Sequence, residues 1–465
     1  MNWGFFFLRL AILLSVFALL FLSQRFWYRA IWRTTARWKV TTLRVAARLA
    51  YLVVFALIIL VMVDGFRMGH GHIIPKTSLI TVFAGLWFTS ALFGYLFVKA
   101  VRVLDGLWTL GRRLVQGAQR KNKNAALAAQ KRQNPMASAV TPAASAPGDA
   151  NSRIELLADP SRRYFFRTAT MAAGAAPFLG VMYGYAAERL NYQVRRVEIP
   201  IAKLPPGLDG MKIVQLSDIH LSGYMPRTQV RRAVDMANEL GADLAVVTGD
   251  FITGAGDPLA DCIEEIRGLH APLGIWGCNG NHEIYAKAED AAQKLFAEAG
   301  MKLLRQENSQ LMFKGAAFNL IGVDYQRERT PGGHRQQVLT GMDALLRRDM
   351  PNILLSHNPN TFNRAAEMGV ELSLAGHTHG GQIQVEILDH RLSPARFITD
   401  YVAGLYARPL FTPAKNERDA RHQALYVNPA APMAQIYVNR GIGTVGAPVR
   451  LGVPPEITLI VLRSA

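Results

Sequence analysis

Two kinds of apolar pattern divide this chain. The amino-terminal part contains long apolar stretches at residues 4–23, 46–63 and 78–98, and a milder one at 168–187. A bilayer core requires about 20 apolar residues in a helix, and these stretches approach that length. From residue 188 onward, short apolar runs alternate with amphipathic segments such as DPLADCIEEIRGL, which predicts the strands and helices of an α/β domain. We therefore expect a helical membrane region followed by an α/β domain.

Five apolar runs in the α/β part each lead into a short polar motif. The runs are KIVQL, LAVVT, LGIWGC, NILL and LSLA, and the motifs are DIH, GD, GNHE, SH and GHTH. Ligands of open α/β sheets bind beyond the carboxyl ends of the strands, so we expect the five motifs at one rim. A single histidine after a strand is usually structural, but these motifs hold five of the eleven histidines. The joint pattern therefore predicts one functional site.

The five motifs supply eight side chains that bind metals or carry protons. These are Asp218, His220, Asp250, Asn281, His282, His357, His377 and His379. Oxygen and imidazole donors without a thiolate suit Mn, Fe, Zn, Ni or Mg, and the sequence does not select among these metals. Such a donor set predicts a pair of divalent cations and hydrolytic chemistry.

The order D-x-H, G-D, G-N-H-E, H and G-H-x-H resembles the calcineurin-like metallophosphoesterases, over residues 196–465. The GHTHGGQ sequence resembles their membrane-anchored bacterial branch. The resemblance implies a two-sheet αββα sandwich, here preceded by an all-α transmembrane region. It also implies two divalent metal ions with Asp250 as the bridge. The implied ligands are Asp218, His220, Asp250 and His379 for the first ion, and Asp250, Asn281, His357 and His377 for the second.

The resemblance implies a metal-dependent phosphoric ester hydrolase in which a hydroxide bridging the metals attacks phosphorus in line. Asp250 and His282 are the expected catalytic residues, with His282 as proton donor or charge stabiliser for the leaving oxygen. Asn281 and His282 are expected to contact the substrate. Since the domain is tethered to a membrane, we expect a phosphodiester or pyrophosphate of a lipid-linked or envelope compound. Two alternatives stay open: a sensor or scaffold that binds a phosphorylated ligand without turnover, and a nucleotide phosphodiesterase.

The net charge of +18 lies entirely in the amino-terminal part. Residues 1–170 contain 23 Lys and Arg against 5 Asp and Glu, whereas residues 171–465 contain 29 of each. A nucleic-acid-binding domain carries its basic surface on the binding domain itself. We therefore expect membrane lipids and a phosphorylated substrate as partners, and no nucleic acid.

The distribution of basic residues predicts the topology. Residues 24–44 contain six basic residues and no acid, and residues 100–167 contain twelve against four acids. The positive-inside rule places both segments in the cytoplasm, which puts the α/β domain on the periplasmic or external face of a bacterial inner or plasma membrane. SRRYFFR at 161–167 resembles a twin-arginine export motif, so the export machinery is a candidate partner. The alternative is an ordinary basic segment before a membrane helix.

These observations predict four segments: three transmembrane helices in 1–110, a basic flexible cytoplasmic linker at 111–160, a twin-arginine-like motif with a fourth transmembrane helix at 161–187, and the metallophosphoesterase domain at 188–465. Residues 390–432, with KNERDARHQ at their centre, are expected to form a surface insertion. Cys262 and Cys278 are expected to be buried thiols, because both lie in apolar patterns. His70 and His72 have no partner cluster and are not expected to bind metal.

Overall fold

A computed structural model of the chain describes residues 3–65, 79–133, 160–327, 336–387, 390–397, 399–411 and 432–465. The chain divides into two compact units, one formed by residues 16–52 and 87–179, the other by residues 1–15, 53–86 and 180–465. Three features of the sequence lie outside the described residues: the His70 and His72 pair, residues 134–159 of the predicted linker, and residues 412–431 of the predicted insertion.

Four long helices occupy the amino-terminal part: α1 (Trp3–Thr35), α2 (Thr41–Gly65), α3 (Leu79–Gln133) and α4 (Pro160–Ala186). Among the described residues, two stretches are long and apolar enough to cross a membrane, Thr41–Val61 and Ile80–Ala126. The spans predicted at 4–23 and 168–187 stay predictions. Helix α3 continues to Gln133, so the start of the predicted linker is helical.

The unit formed by residues 16–52 and 87–179, which we call the helical unit, is held together by close contacts between α1, α3 and α4. The indole Nε1 of Trp27 donates a hydrogen bond to the Ala91 carbonyl at 2.8 Å, and the Trp27 and Phe178 rings meet edge to face at 5.5 Å. A Cβ at Gly94 would lie 2.9 Å from the Trp27 ring and 3.0 Å from the Gly174 carbonyl. The small residue at Gly94 therefore permits this packing, as small residues do between membrane helices.

The first sheet of the α/β domain has six strands in the order β1-β14-β2-β3-β4-β5. Strands β2 to β5 are parallel, β14 pairs antiparallel with β2, and β1 pairs parallel with β14. The strands are β1 (Gln193–Ile201), β2 (Lys212–Leu216), β3 (Leu244–Thr248), β4 (Ile275–Cys278), β5 (Lys302–Leu303) and β14 (Glu456–Ser464).

The second sheet also has six strands, in the order β12-β13-β9-β8-β7-β6. Strands β7, β8, β9 and β13 are parallel, and β6 and β12 are antiparallel edges. The strands are β6 (Glu307–Phe313), β7 (Ala316–Gly322), β8 (Asn352–Leu355), β9 (Leu372–Ala375), β12 (Gly404–Pro409) and β13 (Met433–Val438). Strands β10 (Val385–Ile387) and β11 (His390–Leu392) pair antiparallel in a separate two-stranded sheet.

The main core lies between the two sheets, where Ile213 and Val246 of the first sheet pack in one cluster with Ile353 and Leu372 of the second. The outer faces are covered by short helices. Helices α5 (Arg227–Asn238), α6 (Leu259–Ile266) and α8 (Glu289–Glu298) cover the first sheet, and α9 (Phe362–Met368) covers the second. The predicted two-sheet fold with a preceding helical region is therefore confirmed.

The two cysteines are buried in different parts of the core. Cys278 lies in the cluster between the sheets, and Cys262 lies in the cluster under α6. Both are free thiols, as predicted. Burial raises the pKa of each thiol, because a thiolate would lose its solvation there.

Candidate metal centre

The five motif-bearing strands end at one place in the fold. Three of them, β2, β3 and β4, belong to the first sheet, and β8 and β9 belong to the second. Seven of the eight candidate side chains form three overlapping clusters. The clusters are Asp218, His220 and His379; His220, Asp250 and His282; and Asp250, His357 and His377. Asn281, the eighth, begins helix α7 (Asn281–Ala286) next to His282.

Asp250 and His220 connect the clusters. The Asp250 Oδ2 atom lies 3.0 Å from His357 Nε2, 3.5 Å from His220 Nε2 and 4.0 Å from His282 Nε2. His220 Nε2 lies 3.1 Å from His379 Nε2, which is 3.3 Å from Asp218 Oδ1. One carboxylate is thus shared by two of the three clusters.

Backbone carbonyls orient three of the imidazoles. The Nδ1 atoms of His220, His282 and His357 lie 3.2, 2.6 and 2.6 Å from the carbonyls of Ile252, Thr253 and Thr248. Because a carbonyl only accepts hydrogen bonds, Nδ1 carries a proton in each case, and Nε2 is the ring atom that faces the cluster. This arrangement is typical of histidines that bind metals.

The polypeptide is in the left-handed region at most of the candidate ligands. Asp218, His220, Asp250, His377 and His379 have φ between 49° and 74°. This conformation is uncommon for residues with a side chain and collects at functional sites. It lets the chain turn at the strand end, so that two nearby residues of one motif, such as Asp218 and His220, both reach the centre.

Backbone amides also donate hydrogen bonds to the side chains of Asp218 and Asp250. The His377 amide donates to Asp218 Oδ1 and Oδ2 at 2.9 and 3.1 Å, and the His282 amide donates to Asp250 Oδ1 at 2.9 Å. The preceding Gly280 packs on Asp250, and a Cβ there would overlap the carboxylate. Glycine is therefore required before Asn281.

Glu283 fixes the loop that carries Asp250, a role that the sequence did not predict. Its buried carboxylate accepts hydrogen bonds from four amides, those of Gly280, Asp250, Phe251 and Ile252, at 2.8 to 3.3 Å. Its position directly after Asn281 and His282 in the GNHE motif was the one feature of the sequence that could have indicated this role. Glu283 is a positioning residue, because it holds the backbone rather than facing the centre.

Arg450 organises the loop that contacts the Asp218 backbone, a role that the sequence also did not predict. Its fully buried guanidinium donates to the carbonyls of Arg440, Gly441, Gly443 and Val453 at 2.6 to 3.3 Å. Burial lowers its pKa to about 10. The loop that it organises binds the Asp218 carbonyl through the Gly443 amide at 2.8 Å. An arginine in a glycine-rich loop gives no sequence signal for this role.

Burial dominates the electrostatics of the centre. It raises the pKa of Asp218 to about 6 and that of Glu283 to about 7, and it lowers the pKa of His220 to about 3. Burial alone would lower the pKa of His357, but the Asp250 carboxylate beside it raises that pKa to about 10. The partner Asp250 has a lowered pKa, because the neighbouring imidazoles outweigh its burial. The centre therefore favours bound positive charge next to Asp250.

The donor set fits divalent cations. The facing Nε2 atoms of His220 and His379, only 3.1 Å apart, require a proton or a cation between or beside them. The Asn281 Oδ1 atom is buried and accepts no hydrogen bond from any described residue. Carboxylate, amide oxygen and imidazole together match borderline and hard metals. The described residues thus provide metal-binding clusters consistent with a binuclear site.

Comparison with known proteins agrees with this geometry. The calcineurin-like phosphoesterase family model matches residues 211–381. The chain is 30% identical over 311 residues to the uncharacterized metallophosphoesterase YkuE of Bacillus subtilis (strain 168), covering 65% of this chain and 98% of that protein. The chain therefore belongs to the calcineurin-like metallophosphoesterases.

Two further relatives carry more specific names. A transmembrane protein with metallophosphoesterase domain from Danio rerio is 30% identical over 308 residues, 64% of each chain, so this chain spans less than two thirds of that relative. The UDP-2,3-diacylglucosamine pyrophosphatase LpxG of Chlamydia trachomatis is 26% identical over 337 residues, covering 62% of this chain and 94% of that protein.

We predict that Glu283→Ala destabilises the domain by about 3 kcal/mol, because it leaves buried amides without acceptors. Glu283→Gln should destabilise it less, since the amide oxygen can still accept from one pair of amides. Glu264→Ala is the matched control: the Glu264 side chain is 53% exposed and pairs, among the described residues, only with Arg267, so its loss should cost within about 0.5 kcal/mol. Denaturant unfolding of the full chain measures all three, and equal stabilities for Glu283→Ala and Glu264→Ala would contradict the role.

Proposed function

We propose that the chain is a membrane-anchored two-metal phosphoesterase that hydrolyses phosphodiester or pyrophosphate bonds of a lipid-linked or envelope substrate. The observation that carries this proposal is the set of three overlapping carboxylate and imidazole clusters at the ends of five strands, two of which share Asp250. We also assign the chain to the membrane-anchored bacterial branch, on the GHTHGGQ sequence beginning at Gly376.

Two divalent ions would occupy the centre. The first would be held by Asp218, His220, Asp250 and His379, and the second by Asp250, Asn281, His357 and His377. Bound metals supply positive charge for the phosphoryl oxygens and acidify water near neutral pH. The chain's own contribution is to hold these donors at fixed positions through Glu283, Arg450 and the histidine carbonyl contacts.

His282 is suited to act on the leaving oxygen. Its Nδ1 proton is held by the Thr253 carbonyl at 2.6 Å, and its Nε2 lies 4.0 Å from Asp250 Oδ2. The side chain keeps 17% of its surface exposed, whereas His220 and His357 are fully buried. A protonated Nε2 at the edge of the centre would donate its proton to, or stabilise, the departing oxygen.

Arg327 contacts Tyr285, whose ring packs against His282. The Tyr285 ring lies 5.8 Å from the His282 ring and is 58% exposed, and the Arg327 guanidinium lies 5.1 Å over the Tyr285 ring. Arg327 forms no ion pair with a described residue. A second phosphate attached to the reacting one would be attracted to this guanidinium, which favours a pyrophosphate over an ester with a single phosphate.

Two findings support a lipid-linked substrate. The chain contains at least two helices with the length and composition of membrane spans, which would confine the domain to compounds near the bilayer. A relative named as a pyrophosphatase of a diacylated sugar nucleotide aligns over most of its own length. We therefore propose a substrate in which a diphosphate is attached to an acylated or otherwise lipid-linked group.

The activity is predicted to depend on Asp250 and His282. The full chain in detergent with Mn²⁺ should hydrolyse bis(p-nitrophenyl) phosphate faster than p-nitrophenyl phosphate. Asp250→Ala should abolish hydrolysis, because it removes the shared ligand, and His282→Ala should lower kcat by roughly 10² to 10⁴. His270→Ala changes an exposed histidine on the same domain and should leave kcat unchanged. A folded chain that binds divalent metal and hydrolyses neither compound would instead favour the sensor alternative.

Substrate preference is predicted to depend on Arg327. Arg327→Ala should raise KM about tenfold for a lipid-linked diphosphate, since one charged contact to phosphate is lost. KM for bis(p-nitrophenyl) phosphate, which has one phosphorus, should change little. Arg348→Ala, an exposed arginine elsewhere on the domain, is the matched control. Efficient cleavage of soluble nucleotides with no cleavage of any lipid phosphate would overturn the proposed substrate class.

The orientation is predicted to be periplasmic or external for the domain. Reporter fusions after residues 40 and 140 should be cytoplasmic, and fusions after residues 70 and 200 external. A cytoplasmic signal after residue 200 would refute this topology. If the twin-arginine machinery exports the domain, replacing both Arg162 and Arg163 with Lys should abolish the external signal after residue 200; an unchanged signal would identify the motif as an ordinary basic segment.

A further inference from the structure

Outside the metal centre, the helical unit contains a cavity of about 380 Å³ between α1 and α3. We call it the basic pocket. Its charged lining consists of five cations, Arg25, Arg29, Arg33, Lys99 and Arg102. No acidic residue in the described part of the chain lines it. A cavity of this size falls in the range of small-molecule sites, about 300–1,000 Å³.

The five cations form two facing rows, one on α1 and one on α3. Arg25, Arg29 and Arg33 recur every four residues along α1, so they share one helix face. Lys99 and Arg102 are three residues apart on α3 and also share a face. The pocket is therefore the space between two basic helix faces rather than a single run of charge.

Packed aromatic side chains form the wall of the pocket. The Phe26 and Tyr95 rings lie 5.5 Å apart, and the Arg102 guanidinium lies 5.5 Å over the Phe26 ring. Lys99 Nζ lies 5.6 Å over the Tyr95 ring. Just beside them, the Trp27 hydrogen bond to the Ala91 carbonyl fixes the two helices to each other. Two of the five cations are thus held in place by aromatic rings before any ligand binds.

No described residue neutralises the charge of the pocket. None of the five cations forms an ion pair with a carboxylate of the described residues, whereas Arg227 and Arg231 on the α/β domain both pair with Glu265. Like charges gathered around one cavity repel each other. A bound anion would remove this repulsion.

The position of these cations along the helices indicates which kind of anion the pocket binds. Arg25 follows the apolar stretch 4–23, and Lys99 follows the apolar stretch 78–98, and the contact between Phe26 and Tyr95 places these two helix levels side by side. The cations therefore lie where predicted membrane helices leave the hydrocarbon. Basic pockets between helices at this depth bind anionic lipid headgroups.

We propose that the basic pocket binds the phosphate headgroup of an anionic membrane phospholipid. The positive-inside rule explains why basic residues lie next to a membrane span. It does not require those residues to surround one cavity. Arg37 and Lys39 belong to the same basic segment and do not line the pocket, so they offer a comparison at equal charge.

Native mass spectrometry of the full chain, titrated in detergent with phosphatidylglycerol, phosphatidylcholine or inorganic phosphate, tests the proposal. We expect one phosphatidylglycerol to be retained in preference to phosphatidylcholine. Replacing Arg29 and Lys99 together with Gln, which keeps side chains of similar length, should weaken phosphatidylglycerol affinity about 30-fold, since each basic residue contributes roughly a factor of five. Replacing Arg37 and Lys39 together with Gln should leave the affinity within about twofold.

Three results would overturn the proposal: equal losses in the two double variants, no preference for phosphatidylglycerol over phosphatidylcholine, or inorganic phosphate that competes fully at equal concentration. The last result would identify a small-anion site instead. Circular dichroism of each lipid-free variant checks its helix content, and Arg29→Lys with Lys99→Arg keeps all five charges and should retain the lipid. Lipid retention is measured without turnover, so its outcome is separate from that of the hydrolase assays.

Discussion

The burial of two carboxylates at the junction of the sheets is the constraint on which the rest of the α/β domain depends. Asp218 and Asp250 are 0% and 1% exposed. Buried charge is costly unless it is compensated by hydrogen bonds and opposite charge. Backbone amides and the neighbouring imidazoles supply part of that compensation, and bound divalent cations would supply the remainder. A site of this kind is stable only when its donors are held in fixed positions, which is what the two sheets provide.

Much of the domain is therefore organised around holding those donors. Strands from both sheets end at the centre, the chain turns there through left-handed residues, and glycine lies where a side chain would overlap a carboxylate. Glu283 and Arg450 contribute from outside the centre, each by gathering backbone groups of one loop. The unfavourable backbone conformations at Asp218 and Asp250 are offset by this hydrogen bonding.

The sequence predicted the parts of this arrangement that leave a local pattern. Apolar runs such as KIVQL and LSLA marked the strands, and the polar residues after them marked the centre. It did not predict how those strands divide between two sheets except through family resemblance, because pairing depends on contacts distant in sequence. Arg450 was missed for the same reason: its partners are carbonyls, which any residue supplies. Helix α3 continues into the predicted linker because residues 111–133 contain many good helix formers such as Ala, Lys and Gln.

The helical unit and the α/β domain contain opposite charge clusters. The domain buries carboxylates, which favour bound cations, and the basic pocket is lined by cations, which favour a bound anion. The proposed binding of two cations beside the buried carboxylates is tested most directly by the metal content of the chain. Inductively coupled plasma mass spectrometry of the full chain, reconstituted with Mn²⁺ and freed of excess metal, should find about two ions per chain. Asp250→Ala should retain fewer than one, because Asp250 is the proposed ligand of both ions, while Asp218→Ala should retain about one. An Asp250→Ala chain that keeps both ions would contradict the account.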